Sequence, residues 1–490
     1  MTYEASPFIF GIRELDQRFS RALRHGVTIA IVGFPGTGKT TFAATICYAN
    51  ALRGNPCIYI STQESKEKFY TNMKFLGMDF KELEKKKLFK FVNLPLLSAT
   101  GRTGVFTSTS EGTLMPASLE AVKVFMEAIE TLVYESKTKI LVIDSISPLL
   151  RVAAETITGR AYLQNYFYNL ARILKGMLVL TVEDSESPLL KEIITDVEYV
   201  ADIVIWLVQE QSRGLLTRKM RLVKIRGAPI LSSEVPFDIR DGKGIKVFFP
   251  PLIEEIPIHK GFLKWPCRIL EEKLHHLPGN YSIYFAYNIK PPFRKLIPLI
   301  LAFTNINKMN KALIINYNYP SNLFSKMLEK NLTLWGIPEE KTRDLIRRFL
   351  IIKTLNPSVM SIDEIYTVEL DLVEQYKPDI IVFWDVQIPE IIHGLERVYT
   401  YTTLLRNQFL ILKSLNIPVI RVGKIVSYKL FKVNSEVADV VFKYHYNVIN
   451  PERSFVTIEC PFIENVKLSN DSMYQCIREC IEVLKKEVSR

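Results

Sequence analysis

A glycine-rich segment near the start of this chain constrains its fold more than any other feature. Residues 27–32 (VTIAIV) form a short β-branched run, which is typical of a strand buried on both faces of a parallel sheet. The run leads directly into residues 33–40 (GFPGTGKT), and residues 41–52 that follow have helical character. The order of strand, glycine-rich loop and helix predicts a P-loop at the edge of a parallel α/β sheet.

The residue types in this loop suit a bound triphosphate. Glycines let backbone N–H groups approach phosphate oxygens without a Cβ clash, and the helix start adds the positive end of its dipole. Lys39 would reach the β- and γ-phosphates, and the Thr40 hydroxyl would bind Mg²⁺. We therefore predict ATP and Mg²⁺ as the cofactors. The predicted nucleotide-binding residues of the loop are Gly33, Gly36, Thr37, Gly38, Lys39, Thr40 and Thr41.

Two carboxylates further along the chain complete the predicted chemistry. Asp144 follows the apolar run 140–143 (ILVI), and a carboxylate at the carboxyl end of a parallel strand faces the ligand crevice. It is predicted to orient Mg²⁺ through water. Glu64 follows the strand predicted at residues 56–61 and could polarise the attacking water. The alternative for Glu64 is a surface or capping carboxylate at the helix that starts near Ser65.

The chain of 490 residues is too long to fold around a single hydrophobic core, so two or more domains are expected. The apolar content of 48% excludes a largely disordered chain. The net charge of +11 favours anionic partners, but weakly, because acidic and basic residues are interspersed. Neither a signal peptide nor an apolar run long enough to span a membrane is present, so a cytoplasmic protein is expected.

The six cysteines form no C-x-x-C pair, and no metal-ligand spacing is recognisable. Cys476 and Cys480 are four residues apart, so they could share one face of a C-terminal helix. We interpret them as a buried pair of thiols, kept reduced in a cytoplasmic protein.

Six segments of the first half form one set: 11–16 (GIRELD), the P-loop, 59–65 (YISTQES), 200–205 (VADIVI), 218–227 (RKMRLVKIRG) and 235–249 (VPFDIRDGKGIKVFF). Together they resemble the KaiC-like and RadA-like ATPase domains of the RecA superfamily. The resemblance covers about residues 5–250, and the Lys- and Ile-rich composition is reminiscent of a thermophilic archaeal protein. It implies a RecA-like fold and a homo-oligomer, a ring or a dimer, with the nucleotide at the subunit interface.

The resemblance also implies catalytic roles. The family's K-x-R motif falls on Lys224 and Arg226, which would act with Lys39 and Glu64 by meeting the γ-phosphate held by a neighbouring subunit. An alternating strand with its polar face in water is the alternative for that pair. Asp241 matches a nucleotide-contacting position. The family often has two adjacent carboxylates where this chain has Gln63 and Glu64. Gln63 can orient water but cannot accept a proton, so slow hydrolysis or a binding switch is implied.

The second half repeats the first with its chemistry removed. Residues 281–286 (YSIYFA), 379–385 (DIIVFWD) and 437–441 (VADVV) match strands of the first half in order and spacing. The loop that corresponds to the P-loop, residues 287–295 (YNIKPPFRK), contains no glycine, and its two prolines offer no N–H donor. We predict α/β architecture with two RecA-like domains, an ATPase domain at 1–255 and a degenerate domain at 256–490.

Three functions remain open from the sequence. The first is an ATP-dependent regulatory or assembly switch that works with a protein partner. The second is a RecA- or RadA-like ATPase acting on DNA, with Arg151 and Arg160 as possible contacts or as ordinary exposed arginines. The third is an ATP-binding scaffold with negligible turnover. The repeated domain without a catalytic loop favours the first, and the absence of a recognisable helix-hairpin-helix or zinc module weakens the second.

Overall fold

The computed structural model describes residues 6–94, 96–99, 102–105, 115–116, 119–153, 157–184, 188–212, 215–249, 256, 261–275, 277–289, 293–395, 397–460 and 463–488. The chain divides into two compact units, residues 1–249 and 250–490. The sequence places the boundary nearby, at 255/256. Within the described ranges, no helix is long and apolar enough to cross a membrane.

The N-terminal unit is built from twelve strands and eight α-helices among its described residues. Its strands are β1 (Val27–Gly33), β2 (Cys57–Ser61), β3 (Phe89–Asn93), β4 (Leu96–Ala99), β5 (Arg102–Val105), β6 (Met115–Pro116), β7 (Ile140–Asp144), β8 (Met177–Glu183), β9 (Ile203–Ser212), β10 (Leu215–Ile225), β11 (Glu234–Arg240) and β12 (Gly244–Val247). Its helices are α1 (Arg13–Phe19), α2 (Lys39–Leu52), α3 (Lys66–Phe75), α4 (Phe80–Lys85), α5 (Leu119–Ser136), α6 (Ser147–Ala153), α7 (Ile157–Leu174) and α8 (Pro188–Val200), with a 3₁₀ turn at Ser20–Ala22.

Nine of these strands form one sheet in the order β12-β11-β10-β9-β1-β8-β7-β2-β3. The strands from β9 to β3 are parallel, and β10, β11 and β12 extend the sheet in antiparallel pairing. Every residue of β1 is buried, and its side chains alternate between two cores: Ile29 and Ile31 on one face, Ala30 and Val32 on the other. Helices cover both faces, which explains the continuous apolar runs in the sequence.

The C-terminal unit contains ten strands and nine α-helices among its described residues. Its strands are β13 (Phe262–Leu263), β14 (Leu277–Pro278), β15 (Ser282–Tyr287), β16 (Ala312–Asn316), β17 (Leu350–Thr354), β18 (Ile380–Trp384), β19 (Val419–Lys424), β20 (Val440–His445), β21 (Phe455–Cys460) and β22 (Ile463–Ser469). Its helices are α9 (Arg268–Leu274), α10 (Phe293–Ile306), α11 (Ser321–Leu334), α12 (Glu339–Phe349), α13 (Ile362–Tyr376), α14 (Gln387–Pro389), α15 (Val398–Ser414), α16 (Tyr428–Val437) and α17 (Asn470–Val488), with short turns at Pro357–Val359, Glu390–Gly394 and Pro451–Arg453.

The second sheet repeats the strand order of the first. It runs β17-β16-β18-β19-β15-β20-β21-β22, which corresponds position by position to β3-β2-β7-β8-β1-β9-β10-β11. One equivalent hydrogen bond marks the repeat. The backbone N–H of Thr28 donates to Asp202 Oδ2 at 3.1 Å, and that of Ser282 donates to Asp439 Oδ2 at 2.8 Å. The predicted α/β class with a repeated domain is therefore confirmed.

The prediction that Cys476 is a reduced thiol is wrong. Cys476 forms a disulfide with Cys267, and the two Cα atoms are 5.1 Å apart. Cys480 remains a free, buried thiol. The partners are 209 residues apart in the chain, and only the packing of α9 against α17 brings them together. Helical spacing alone could not indicate this pairing.

Reducing this disulfide is expected to lower the free energy of unfolding of the C-terminal unit by about 2–4 kcal/mol, because the closed loop is long. Three of the four tryptophans, Trp265, Trp335 and Trp384, lie in this unit and Trp206 lies in the other, so tryptophan fluorescence in a Trp206→Phe background follows the unfolding of this unit in denaturant. The Cys267→Ser variant should match the reduced wild type, and Cys460→Ser should respond to reductant as the wild type does. Unchanged wild-type unfolding in reductant would contradict the stabilising role.

Candidate nucleotide site

The P-loop joins the carboxyl end of β1 to the first residue of α2. Gly36 and Gly38 have φ angles of +82° and +104°, a region that glycine enters without strain. A Cβ at Gly33 would lie 2.4 Å from the carbonyl oxygen of Leu207, whereas one at Gly36 would meet nothing within 4 Å. The two glycines therefore have different roles. Gly33 allows β1 and β9 to pack closely, whereas Gly36 leaves the loop open to a ligand.

The Lys39 ammonium lies beneath this loop and is buried. Its Nζ donates to the carbonyl oxygens of Gly33 and Phe34 at 2.8 and 2.9 Å. Burial lowers the pKa of Lys39, and the nearby carboxylates of Glu183, Asp144 and Asp184 act in the opposite direction.

The hydroxyl residues of the loop flank this lysine. Thr37 Oγ1 donates to the Phe34 carbonyl at 2.8 Å, which braces the loop. Thr40 and Thr41 stand half-exposed on the first turn of α2. Gly36, Thr40 and Thr41 thus remain accessible at the start of this helix, while Thr37 and Lys39 are buried.

Asp144 ends β7, and both of its carboxylate oxygens accept hydrogen bonds from hydroxyl groups. Tyr59 OH donates to Oδ2 at 2.6 Å, and Thr181 Oγ1 donates to Oδ1 at 2.5 Å. Burial, together with the Asp144 charge, raises the pKa of Tyr59 well above its usual range, so the phenol keeps its proton. These roles of Tyr59 and Thr181 are not predictable from the sequence, because both residues lie in apolar strand runs far from Asp144 along the chain.

Glu64 follows β2 on the same edge of the sheet. Its Oε1 accepts a hydrogen bond from Asn72 Nδ2 at 2.8 Å. Ser65 takes the N-cap position of α3, with its side chain accepting from the Lys68 N–H, so capping does not account for Glu64. Burial raises the pKa of Glu64, and the Asp144 charge adds to this, which makes the carboxylate a stronger base than usual.

The strand register places Lys224 and Arg226 at the other edge of the sheet. Gly33 is opposite Leu207, and Leu207 is opposite Met220. Arg226 lies six residues beyond Met220, which corresponds to roughly 20 Å along a strand. The two cations are therefore separated from the P-loop of their own chain by the length of β1.

Lys224 and Arg226 contact the end of α8. Lys224 Nζ donates to the carbonyl oxygens of Glu198 and Tyr199 at 2.9 and 3.1 Å. Arg226 forms an ion pair with Asp202 at 3.0 Å, and 55% of its side chain is exposed. The carbonyl end of a helix is a favourable location for cations. Arg226 keeps more than half of its surface available to a partner.

Asp241 lies in the exposed turn between β11 and β12. This turn is at the opposite end of the antiparallel strands β10–β12 from Arg226. The neighbouring Gly242 N–H donates to the Phe75 carbonyl at 2.7 Å, which ties the turn to the end of α3. The structure thus brings the P-loop, Asp144 and Glu64 to one edge and places Lys224 and Arg226 at the other.

The corresponding positions of the C-terminal unit are occupied by contacts within the chain. Lys295 Nζ donates to Tyr444 OH at 2.8 Å and to Asn470 Oδ1 at 2.5 Å, and burial lowers the pKa of this lysine to about 8. Asp385, the counterpart of Asp144, accepts hydrogen bonds from Tyr287, Asn318 and Gln387. Both side chains therefore bind partners within their own unit. The two prolines of the altered loop lie outside the described residues.

Residues 9–251 match the model of the KaiC ATPase family. The N-terminal unit belongs to the KaiC ATPase family. The fold class inferred from the sequence, two RecA-like α/β domains, agrees with this membership and with the repeated strand order. The C-terminal unit lies outside the KaiC match except at its first residues.

Several relatives are similar to a little under half of this chain. A UPF0273 protein of Thermotoga maritima is 27% identical over 240 residues, covering 49% of this chain and 94% of the relative. A UPF0273 protein of Pyrococcus horikoshii is 26% identical over 240 residues, covering 49% and 92%. The circadian clock oscillator protein KaiC of Parathermosynechococcus lividus is 23% identical over 229 residues, covering 44% and 36%.

Proposed function

We propose that the KaiC domain binds and hydrolyses ATP with Mg²⁺, and that the protein acts as a regulatory or assembly switch. The observation that carries this proposal is the division of the predicted catalytic residues between two edges of one sheet. The P-loop, Asp144 and Glu64 lie at the carboxyl edge, and Lys224 and Arg226 lie roughly 20 Å away. One copy cannot assemble this set alone, so a second copy supplies the two cations.

The arrangement favours a head-to-tail assembly. The two edges of the sheet are different surfaces, so the carboxyl edge of one copy must meet the amino edge of the next. Such a heterologous contact closes into a ring when the rotation between copies allows it. The partner of each nucleotide site is therefore an identical chain, with the ATP at the interface between copies.

The residues at the carboxyl edge fit a magnesium-bound triphosphate. Gly36 faces open space, and the helix α2 begins next to it with its N–H groups unpaired by helix carbonyls. Asp144 has a carboxylate whose lone pairs are not exhausted by two hydroxyl donors, so it can also accept from a water bound to a cation. Thr40 and Asp144 would hold Mg²⁺, which would neutralise phosphate charge.

Each residue of the site has a separate role in the proposed hydrolysis. Lys39 binds the β- and γ-phosphates. Thr37, Gly38 and Thr41 contact the nucleotide beside it. Glu64 accepts a proton from the attacking water. The water oxygen bonds to the γ-phosphorus, and the bond between the γ-phosphorus and the bridging β–γ oxygen breaks. Arg226 and Lys224 of the neighbouring copy stabilise the negative charge on the transferring group.

Asp241 has a separate position in this proposal. It stands in an exposed turn, apart from the two cations, at the carboxyl edge of the sheet. From there it would contact the nucleotide away from the γ-phosphate.

The C-terminal unit would serve as a structural or partner-binding domain. Its lysine and aspartate at the catalytic positions are committed to contacts within the unit. A second RecA-like domain without an available phosphate-binding lysine suits a protein that responds to ATP in its first domain and transmits the change to a protein partner. We assign residues 1–255 to the ATPase domain and 256–490 to this degenerate domain.

The Glu64→Gln variant is expected to lower ATP turnover roughly a hundredfold, because the amide keeps the shape but cannot accept a proton. The affinity for ATP should change little. Phosphate release under single-turnover conditions measures the effect, and Glu67→Gln, on the exposed face of α3, is the matched control. Equal turnover in the wild type and Glu64→Gln would remove Glu64 from the mechanism.

Mass measurement with and without ATP and Mg²⁺ tests the assembly. We expect the mass to correspond to several copies when nucleotide and metal are present, and chelation to shift it toward smaller species. A fully active protein that stays monomeric under all of these conditions would contradict the proposal.

A further inference from the structure

A carboxylate from another strand lies beside Gln63. The Nε2 of Gln63 donates a hydrogen bond to Glu183 Oε1 at 3.0 Å. Glu183 ends β8 and is opposite Gly33, the first residue of the P-loop, in the strand register. Since β7 lies between β2 and β8, this hydrogen bond spans the end of the strand that carries Asp144. The Gln63–Glu183 pair therefore borders both the loop and the predicted magnesium ligand.

Glu183 determines the orientation of the Gln63 amide. A carboxylate only accepts hydrogen bonds, so the amide must turn its NH₂ group toward Glu183. The amide oxygen of Gln63 then remains as the atom that can accept a hydrogen bond from water. A glutamine with no such neighbour could present either end of its amide.

Glu183 is itself held in place from two directions. Its backbone N–H donates to Ser147 Oγ at 2.7 Å, and the Arg151 guanidinium lies 3.5 Å from Oε2. The Glu183 side chain is 22% exposed. Arg151 is one of the two arginines that the sequence offers as possible nucleic-acid contacts. Its contact with Glu183 places it beside the nucleotide site. Burial lowers the pKa of Lys39, and the negative charge of Glu183 acts in the opposite direction.

We propose that Glu183 is a positioning residue for ATP hydrolysis, which fixes the Gln63 amide so that its oxygen orients the attacking water. The family often has a carboxylate at the position of Gln63, and here Glu183 supplies a negative charge beside that position. This inference rests on the proposed function, with Glu64 still accepting the proton. It predicts that Gln63 and Glu183 work as one hydrogen-bonded unit.

Exchanging the two side chains tests this unit. Glu183→Gln is expected to lower kcat roughly tenfold, because the amide of Gln63 loses its fixed orientation, while KM for ATP stays within about twofold. Gln63→Glu places two carboxylates side by side, so the two side chains repel each other and the hydrogen bond between them is lost. Its kcat should therefore also fall. The double variant Gln63→Glu/Glu183→Gln restores one amide–carboxylate hydrogen bond with the ends exchanged, and should return kcat to within about threefold of wild type.

The controls separate this inference from the proposed function. Glu127→Gln, an exposed position on α5, should leave kcat unchanged. A wild-type protein that binds ATP without turnover would remove the proposed hydrolysis itself. If the wild type is active but Glu183→Gln is equally active, or if the double variant is no better than Gln63→Glu, the positioning role is wrong. A binding titration with a fluorescent ATP analogue confirms that each variant retains a folded site.

Discussion

Replacing Lys39 with alanine is expected to weaken ATP binding at least about a hundredfold, because several charge-assisted hydrogen bonds to the phosphates are lost together. Lys39 is buried beneath the loop, so no neighbouring lysine can take its place without moving the backbone. The variant also loses the two hydrogen bonds from the ammonium to the Gly33 and Phe34 carbonyls, while the Thr37 hydroxyl still donates to the Phe34 carbonyl. Isothermal titration with ATP and Mg²⁺ measures the loss.

Lys90→Ala provides the matched control. Lys90 is an exposed residue on β3, at the edge of the same sheet, and its removal changes the net charge by the same amount. It should leave ATP affinity within about twofold, because exposed single charges contribute little at this distance. Unchanged affinity in Lys39→Ala itself would overturn the whole assignment of the site.

Replacing Arg226 with alanine is expected to lower turnover in the assembly by about a thousandfold or more, the range of an arginine that meets the γ-phosphate from a neighbouring subunit. ATP binding to the separate chain should persist, since Arg226 lies at the amino edge of its own sheet. Steady-state phosphate release at protein concentrations that sustain the assembly measures the first effect, and titration measures the second. Arg221→Ala, an exposed arginine earlier on β10, is the control.

Mixing the two inactive variants gives a sharper test of the same idea. A Lys39→Ala chain still offers Arg226, and an Arg226→Ala chain still offers an intact P-loop. In a randomly mixed head-to-tail ring with equal amounts of each, roughly a quarter of the interfaces combine both intact parts. Turnover should therefore reappear on mixing. Persistent inactivity of a mixture shown to co-assemble would place Arg226 outside the catalytic site.

In the C-terminal unit, the charged residues at the positions of Lys39 and Asp144 have partners inside the unit. Lys295 donates to Tyr444 and Asn470, and its ammonium lies 4.2 Å from the centre of the Tyr474 ring. A buried lysine with these partners stabilises the contact between α10 and α17 instead of a phosphate. Asp385 is likewise satisfied by three side chains of its own unit. A buried charge without a ligand needs such partners inside the fold.

The sequence by itself determined the phosphate-binding loop and the repeated α/β class. Residues 33–40 are contiguous, so the glycines, the lysine and the threonine are brought together by local geometry alone. The buried strands could also be recognised, since continuous β-branched runs indicate burial on both faces. Asp144 and Glu64 could be placed at one edge because each follows a strand of the same parallel sheet.

Only the tertiary structure decided which distant side chains meet. Tyr59 and Thr181 hold Asp144, Glu183 orients Gln63, and Cys267 bonds to Cys476 across 209 residues. The strand order is what sets these contacts, and it places β8 beside β1 although more than one hundred residues separate them in the chain. It also put Arg226 at the far edge of the sheet. Contacts between strands depend on sheet order and register, which local residue patterns do not encode.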